Sequence, residues 1–328
     1  MVWIKFAVCA SIIFLAGSRL TKYADVMAER TGLCRAWIGI VLLATVTSLP
    51  ELANGISAAA VARLPDLAAG DLLGACMVNM FTLALLDIAL WVLGRESIFV
   101  KPRPSNILSA LFGIGLLLFT ALVLAAARFI FDFSLFGISI YAFLILLIYL
   151  AAQRILYTYS QAEAPAGGGS HAQISDFQVY FYFAVSALIV IAAGSWLPFI
   201  GGEIVAAMGW GKTFVAVLFL GLATTLPEMT VSFSALRLGE VGMSVGNLVG
   251  SNVFNIAIFF AVDLFYQPGS LFSAVSFNMV YAALFGALLL GVVYFSLKKQ
   301  VGNRIPSISI ILIYLFALYF IFRAGIVS

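Results

Sequence analysis

Charged residues are scarce in this chain, and their scarcity excludes an ordinary soluble protein. Only 9% of the 328 residues are charged, 64% are hydrophobic, and the mean hydropathy is +1.14. Soluble domains have about 25% charged residues, so this composition predicts an all-α polytopic membrane protein in contact with a lipid bilayer. The net charge of +3 is too small to indicate a nucleic-acid partner.

Histidine and cysteine are also rare, which limits the chemistry of the chain. The single histidine, His171, lies in a polar loop, so a histidine proton relay is excluded. The cysteines are Cys9, Cys34 and Cys76, an odd number without metal-ligand spacing. We therefore expect neither a disulfide framework nor a cofactor.

Long apolar runs are abundant, and ten of them approach or exceed the roughly 18 residues that mark a spanning helix. The predicted spans are 2–24, 36–61, 67–93, 105–126, 130–154, 177–204, 212–236, 241–264, 273–297 and 305–323. Twelve of the 17 basic residues then fall on one side of the membrane and five on the other. The positive-inside rule predicts an inner (plasma) membrane protein with both termini on the non-cytoplasmic side.

The chain repeats itself after about half its length. A shift of 177 residues places Thr47, Pro50 and Glu51 on the equivalent residues of the phrase "TTLPE" at 224–228. This predicts a five-helix repeat at 1–155 with a motif at 39–80, a flexible linker at 156–176, and a second repeat at 177–328 with a motif at 216–256. Because each repeat has an odd number of spans, the second copy enters the membrane from the opposite side and is inverted. Inverted repeats with interrupted helices are typical of secondary transporters.

Each copy has a proline and a glutamate inside its second span, at Pro50–Glu51 and Pro227–Glu228. Proline interrupts a helix but fits the first turn of a new one. Ser48 and Thr225 precede each glutamate by three residues, which predicts capping boxes in broken helices 2 and 7. An ionised carboxylate at mid-membrane costs about 2.5–3.5 kcal/mol. A cation held between the two glutamates would offset that cost.

The third span of each copy adds small and polar residues. The phrase "VGNLVGSNVFN" at 245–255 offers Ser251 and Asn255 on one helix face, and Asn79 matches Asn255 after a shift of 176 residues. We interpret Asn79 and Asn255 as ligands. Glycines such as Gly246 and Gly250 predict a close helix interface instead.

The paired "TSLPE"/"TTLPE" and "GNLVGSN" phrases resemble the sodium/calcium exchanger branch of the cation/calcium antiporter superfamily. The resemblance covers essentially the whole chain and implies exchange of Ca²⁺ for Na⁺ by alternating access, with sliding of the first and sixth helices. It implies that Glu51, Glu228, Thr47 and Thr224 bind calcium. It also implies that Ser48, Thr225 and Ser251 bind sodium, with Asn79 and Asn255 beside the central position.

Some residues depart from the pattern of this family. Ala75 removes a hydroxyl from one expected sodium site, while Asp71 and Cys76 stand where the family has asparagine. Asn255 replaces an aspartate of many microbial members, which leaves two core acids. These departures put the coupling ion and a three-sodium stoichiometry in doubt, and they keep Ca²⁺/H⁺ or other cation exchange open.

Asp87 and Asp263 form a second symmetric acidic pair near the ends of spans 3 and 8. They are expected to cap helices or to pair with basic loop residues, and a role in gating is the alternative. An intramembrane aspartyl protease would need two facing aspartates, and a channel would conduct poorly past deep paired carboxylates. We therefore expect a transporter and not an enzyme, with a sequence that is compatible with a monomer.

Overall fold

The computed structural model describes residues 2–127, 134–135, 137–162, 175–208 and 221–327. Helices dominate it, with one two-stranded antiparallel hairpin, β1 (Ser134–Leu135) and β2 (Ile138–Ser139). The helices are α1 (Val2–Thr31), α2 (Arg35–Trp37), α3 (Ala44–Thr47), α4 (Leu49–Ile56), α5 (Pro65–Val92), α6 (Pro104–Ala126), α7 (Ile140–Ala162), α8 (Asp176–Met208), α9 (Gly221–Thr224), α10 (Leu226–Arg237), α11 (Val241–Phe265), α12 (Leu271–Ala274), α13 (Asn278–Lys298) and α14 (Ile305–Val327).

Eight helices of the described residues are long and apolar enough to cross a membrane, and a shorter apolar helix spans Ile305–Ile321. These nine correspond to nine of the ten predicted spans, so the prediction of an all-helical membrane protein is confirmed. The remaining span, 212–236, is described only from Gly221 onwards because residues 209–220 lie outside the described part. Its described residues form α9 and α10.

Several predicted boundaries were wrong, each for a local reason. The first helix was expected to end at residue 24 but continues to Thr31, because Asp25 and Glu29 near its end both pair with Arg35. The fifth span begins at Ile140 rather than at 130, because the run opens with the β1–β2 hairpin, where Gly137 has a φ of +82°.

The linker predicted at 156–176 begins inside a helix, because α7 continues to Ala162. Residues 163–174 of that linker lie outside the described part of the chain, and α8 begins at Asp176. The two halves nevertheless have the same order of elements. Each has a long helix, an interrupted helix and then three further long helices, with the interruption at Ser48 in one half and at Thr225 in the other.

Both predicted helix interruptions are present. Ser48 has φ −92° and ψ 6° between α3 and α4, and Thr225 has φ −82° and ψ 1° between α9 and α10. Pro50 and Pro227 follow in the first turn of the new helix. Proline has no N–H, so the carbonyl four residues earlier receives no helical hydrogen bond. Both interruptions thus bring polar backbone atoms into the interior.

The first interrupted span also contains two π-helical segments, Ile38–Leu43 and Ser57–Val61. The first crosses α11 at very short distance. A Cβ added to Gly250 would lie 2.3 Å from the carbonyl oxygen of Ile40, and one added to Gly246 would lie 2.6 Å from that of Ala36. The predicted glycine interface is therefore confirmed, because no larger residue fits at these crossings.

The centre of the molecule is formed by α5 and α11. In their most apolar windows 78% and 72% of residues are buried, whereas the figure for α1 is 22%. The long helices α1 and α8 pack together at the side, with the rings of Tyr23 and Tyr182 stacked 5.4 Å apart. On α8, Gly194 lies against both Pro50 and Pro227, so this helix covers the two interruptions.

Candidate functional site

The two glutamates that follow the helix interruptions are fully buried. Glu51 and Glu228 are both 0% exposed, in the first turns of α4 and α10. The hydroxyl of Ser48 donates a hydrogen bond of 2.9 Å to Oε1 of Glu228, so the interruption in one half contacts the glutamate of the other half. The carboxylates of Glu51 and Glu228 are also close enough for their charges to interact. The site is thus built from both halves.

The predicted capping boxes were wrong. Neither Ser48 nor Thr225 makes a side-chain hydrogen bond to the N-terminus of the helix that it precedes. Ser48 donates to Glu228, and the hydroxyl of Thr225 donates to the carbonyl of Leu222 at 3.3 Å. Proline already occupies the first turn, where it removes one of the N–H groups that a cap would satisfy. The Ser48 hydroxyl is therefore available to bind Glu228 of the other half.

Several buried oxygens at this site have no hydrogen-bond partner among the described residues. They are both carboxylate oxygens of Glu51, Oε2 of Glu228, Oδ1 of Asn79, Oγ of Ser251 and Oδ1 of Asn255. Buried polar atoms are normally paired, and an unpaired one costs about 1–3 kcal/mol. Five of the side chains predicted as ligands therefore present bare oxygens in the interior of the protein.

The buried residues of the described part include no lysine or arginine. Glu51 and Glu228 are therefore not balanced by a buried basic side chain there. Asp87, by contrast, pairs with Arg304, whose side chain is 11% exposed. A pair of buried carboxylates without a basic partner is stable only when it is neutralised by protons or by a bound cation.

The asparagines of the two central helices connect α5 to α11. The amide of Asn79 donates to Oδ1 of Asn252 at 3.0 Å, and the amide of Asn252 donates to the carbonyl of Cys76 at 3.1 Å. Asn252 therefore accepts the hydrogen bond of the Asn79 amide. Oδ1 of Asn79 has no hydrogen-bond partner among the described residues. Sequence reasoning did not select Asn252 as a site residue, because its partner lies 173 residues away.

The hydroxyls of the two predicted threonine ligands donate hydrogen bonds to protein atoms. The Thr47 hydroxyl donates to the carbonyl of Leu43 at 3.0 Å within its own helix. The Thr224 hydroxyl donates to Oδ1 of Asp71 at 3.3 Å. Asp71 was not among the predicted ligands, and its contact with the second half could not be read from the sequence.

The second acidic pair is engaged at helix ends and loops. Oδ1 of Asp87 accepts hydrogen bonds from the Ser97 hydroxyl and the Ile98 N–H, both at 2.8 Å, and from Arg304. Its Oδ2 accepts one from the Ser307 hydroxyl at 2.6 Å.

Asp263 behaves in the same way in the other half. Its oxygens accept hydrogen bonds of 2.7 Å from the N–H groups of Ser139 and Leu271. These contacts are of the capping and pairing kind that was expected for Asp87 and Asp263.

The fold and the buried polar centre define an integral membrane transporter of the all-helical class. A family model described as sodium/calcium exchanger protein matches residues 1–100 and 178–323, and the chain belongs to this family. Its members are cation/calcium antiporters, so the recognition made from the sequence motifs is confirmed.

Individual proteins agree with this family. The chain is 24% identical to the putative antiporter CaxA of Alkalimonas amylolytica over 319 residues, which cover 95% of this chain and 96% of that protein. It is 32% identical to sodium/potassium/calcium exchanger 1 of Gallus gallus over 143 residues, covering 42% and 21%. A solved structure of the sodium-calcium exchanger NCX_Mj superimposes with a TM-score of 0.73 at 18% identity, over 97% of this chain and 99% of that one.

Proposed function

We propose that this antiporter exchanges Ca²⁺ for Na⁺ by alternating access and that Ca²⁺ binds between Glu51 and Glu228. One observation carries the proposal: both carboxylates are completely buried, three of their four oxygens have no partner among the described residues, and no basic side chain is buried there. Calcium prefers six to eight oxygen ligands in flexible geometry. A divalent cation would neutralise both glutamates at once.

Neutral oxygens complete the proposed calcium site. Thr47 and Thr224 are the last residues before the two interruptions, and their carbonyls are the neutral ligands in our proposal. Water supplies the remaining ligands. Oδ1 of Asn79 and Oδ1 of Asn255 are bare and flank this position in our proposal. Such mixed carboxylate and carbonyl sets are typical of Ca²⁺.

The smaller hydroxyl residues would bind the monovalent ion. Oγ of Ser251 is bare in the described structure, and Ser48 and Thr225 lie at the two interruptions. The hydroxyl of Ser48 donates a hydrogen bond to Glu228, and we propose that its oxygen binds Na⁺ when the ion enters. Since Na⁺ and Ca²⁺ then compete for the same carboxylates, one ion leaves when the other binds, as antiport requires.

We also propose that the two halves, 1–155 and 177–328, are inverted repeats around this site and that both termini lie outside the cytoplasm of an inner (plasma) membrane. Equivalent interruptions at Ser48 and Thr225, equivalent acids at Asp87 and Asp263, and the excess of basic residues on one side support this arrangement. Helices α1 and α8 pack together beside the site, where they could slide against the rest of the bundle.

The test is uptake of ⁴⁵Ca²⁺ into proteoliposomes loaded with Na⁺, with K⁺ or with a pH gradient only. The variants are Glu51→Gln and Glu228→Gln, with Glu96→Gln as a matched control because Glu96 is an exposed loop residue. We expect uptake driven by internal Na⁺, lost in both site variants and kept in the control. Uptake driven only by the pH gradient would replace the proposal with Ca²⁺/H⁺ exchange.

A further inference from the structure

Asp71 is a third buried carboxylate that the proposed calcium site does not use. It is 3% exposed in α5, and the amide of Asn54 donates to its Oδ2 at 2.7 Å. The hydroxyl of Thr224 donates to its Oδ1 at 3.3 Å. Asp71 therefore connects α5 to the half-helix that carries Glu51 and to the interruption that precedes Glu228. It is placed beside the cation site and not at the protein surface.

The equivalent position in the second half is neutral. Asn247 lies 176 residues after Asp71, and its amide donates to the Ser232 hydroxyl at 2.9 Å and to the carbonyl of Glu228 at 3.2 Å. An aspartate could not make these two donations. The negative charge of Asp71 is therefore a specific feature of the first half. Asp71 and its equivalent Asn247 both contact residues at or near the buried glutamates.

The carboxylates of Asp71 and Glu51 interact electrostatically, as do those of Asp71 and Glu228. Among the described residues no three acidic, cysteine or histidine side chains converge on one metal position. Asp71 is therefore not a third ligand of an ion that Glu51 and Glu228 share. Asp71 instead adds its charge to the region around the two glutamates. It lies one helical turn before Ala75, and the residue equivalent to Ala75 in the second half is Ser251, which has a hydroxyl.

We infer that Asp71 sets the number of monovalent ions exchanged for each Ca²⁺, an inference that rests on the proposed function. Glu51 and Glu228 alone carry two negative charges, which two monovalent ions or one Ca²⁺ would balance. Asp71 raises the total to three in a region where the described residues include no buried lysine or arginine. Three monovalent ions then balance the site, the third held near Asp71. One Ca²⁺ in their place leaves one negative charge on the site, so each exchange of three monovalent ions for one Ca²⁺ moves one net positive charge.

The first experiment counts ions with ²²Na⁺ and ⁴⁵Ca²⁺ in the same proteoliposomes, for the wild type and Asp71→Asn. Asparagine keeps the size of the side chain and an oxygen that can accept from Thr224. We expect about three Na⁺ per Ca²⁺ in the wild type and about two in the variant. A wild-type ratio of two, or a ratio of three in Asp71→Asn, would overturn the inference.

The second readout is the effect of membrane potential on the steady-state Ca²⁺ gradient. One net charge per cycle at 100 mV corresponds to about 2.3 kcal/mol, or about a 50-fold change in that gradient. We expect this change in the wild type and none in Asp71→Asn. The matched control is Asp66→Asn, since Asp66 is an exposed acid in the first turn of the same helix. The control should keep the wild-type ratio.

A compensating variant separates the charge of Asp71 from its hydrogen bonds. Asn255 is buried, its side chain interacts only with the Cys76 thiol among the described residues, and an aspartate there keeps an oxygen that can accept from that thiol. Asp71→Asn combined with Asn255→Asp should restore the ratio of three, and a ratio that stays at two would contradict the charge argument. A wild-type protein without Na⁺-driven Ca²⁺ flux would instead overturn the proposed function.

Discussion

Replacement of Arg304 by glutamine should destabilise the protein strongly, because it leaves the charge of Asp87 buried without a basic partner. Asp87 is 0% exposed and the side chain of Arg304 is 11% exposed. Removal of one member of such a buried pair typically costs about 3–5 kcal/mol. The shorter glutamine side chain would also no longer reach the carbonyl of Arg95, to which Nη2 of Arg304 now donates at 2.7 Å.

The assay is equilibrium unfolding in detergent micelles. The matched control is Lys101→Gln, which removes an exposed ion pair with Glu96 in the same loop region. Exposed pairs contribute about 0–1 kcal/mol, so this variant should unfold close to the wild type. The Asp87→Asn/Arg304→Gln double variant should be more stable than Arg304→Gln alone, because the buried charge is gone.

The same three variants distinguish an anchor from a gate. If Asp87 only fixes the ends of α5 and α14, Asp87→Asn/Arg304→Gln should keep the wild-type dependence of transport on Ca²⁺ concentration. Equal stability of Arg304→Gln and Lys101→Gln would refute the argument from burial. A normal stability with altered Ca²⁺ dependence would show that the pair belongs to the cation pathway.

Two further outcomes are expected. Gly250→Ala should lower the free energy of unfolding by about 1–3 kcal/mol, because the added Cβ would lie 2.3 Å from the carbonyl oxygen of Ile40. Gly115→Ala should not destabilise the protein, because a Cβ at Gly115 would have nothing within 4 Å. Equal stability of both variants by unfolding in micelles would contradict this. Ser48→Ala removes a hydrogen bond to Glu228 and should raise the Ca²⁺ concentration for half-maximal transport roughly 10-fold. An unchanged value in the flux assay would contradict this.

The sequence was informative wherever a local pattern has one physical outcome. Pro50 and Pro227 predicted the two helix interruptions because proline lacks an N–H. Gly246 and Gly250 predicted a close crossing because only small residues allow it. In both cases the residue itself determines the backbone geometry, whatever the partner.

The sequence was misleading where the partner decides the outcome. Ser48 fits a capping box by spacing, yet its hydroxyl binds Glu228, which is 180 residues away. Thr224 binds Asp71, 153 residues away. Polar side chains of this kind have several partners within reach in principle, and only tertiary packing of the two halves selects one. The second half of the site could therefore be recognised by its motif but not connected to the first.

The most direct test is an anomalous diffraction measurement on crystals of this protein soaked in Ca²⁺ or Sr²⁺. Our account predicts a cation peak within about 2.3–2.6 Å of carboxylate oxygens from both Glu51 and Glu228. The peak should disappear in Glu51→Gln. A peak bound by Asp87 or Asp263 instead, with Glu51 and Glu228 still bare, would contradict the central claim that the two buried glutamates hold the transported ion.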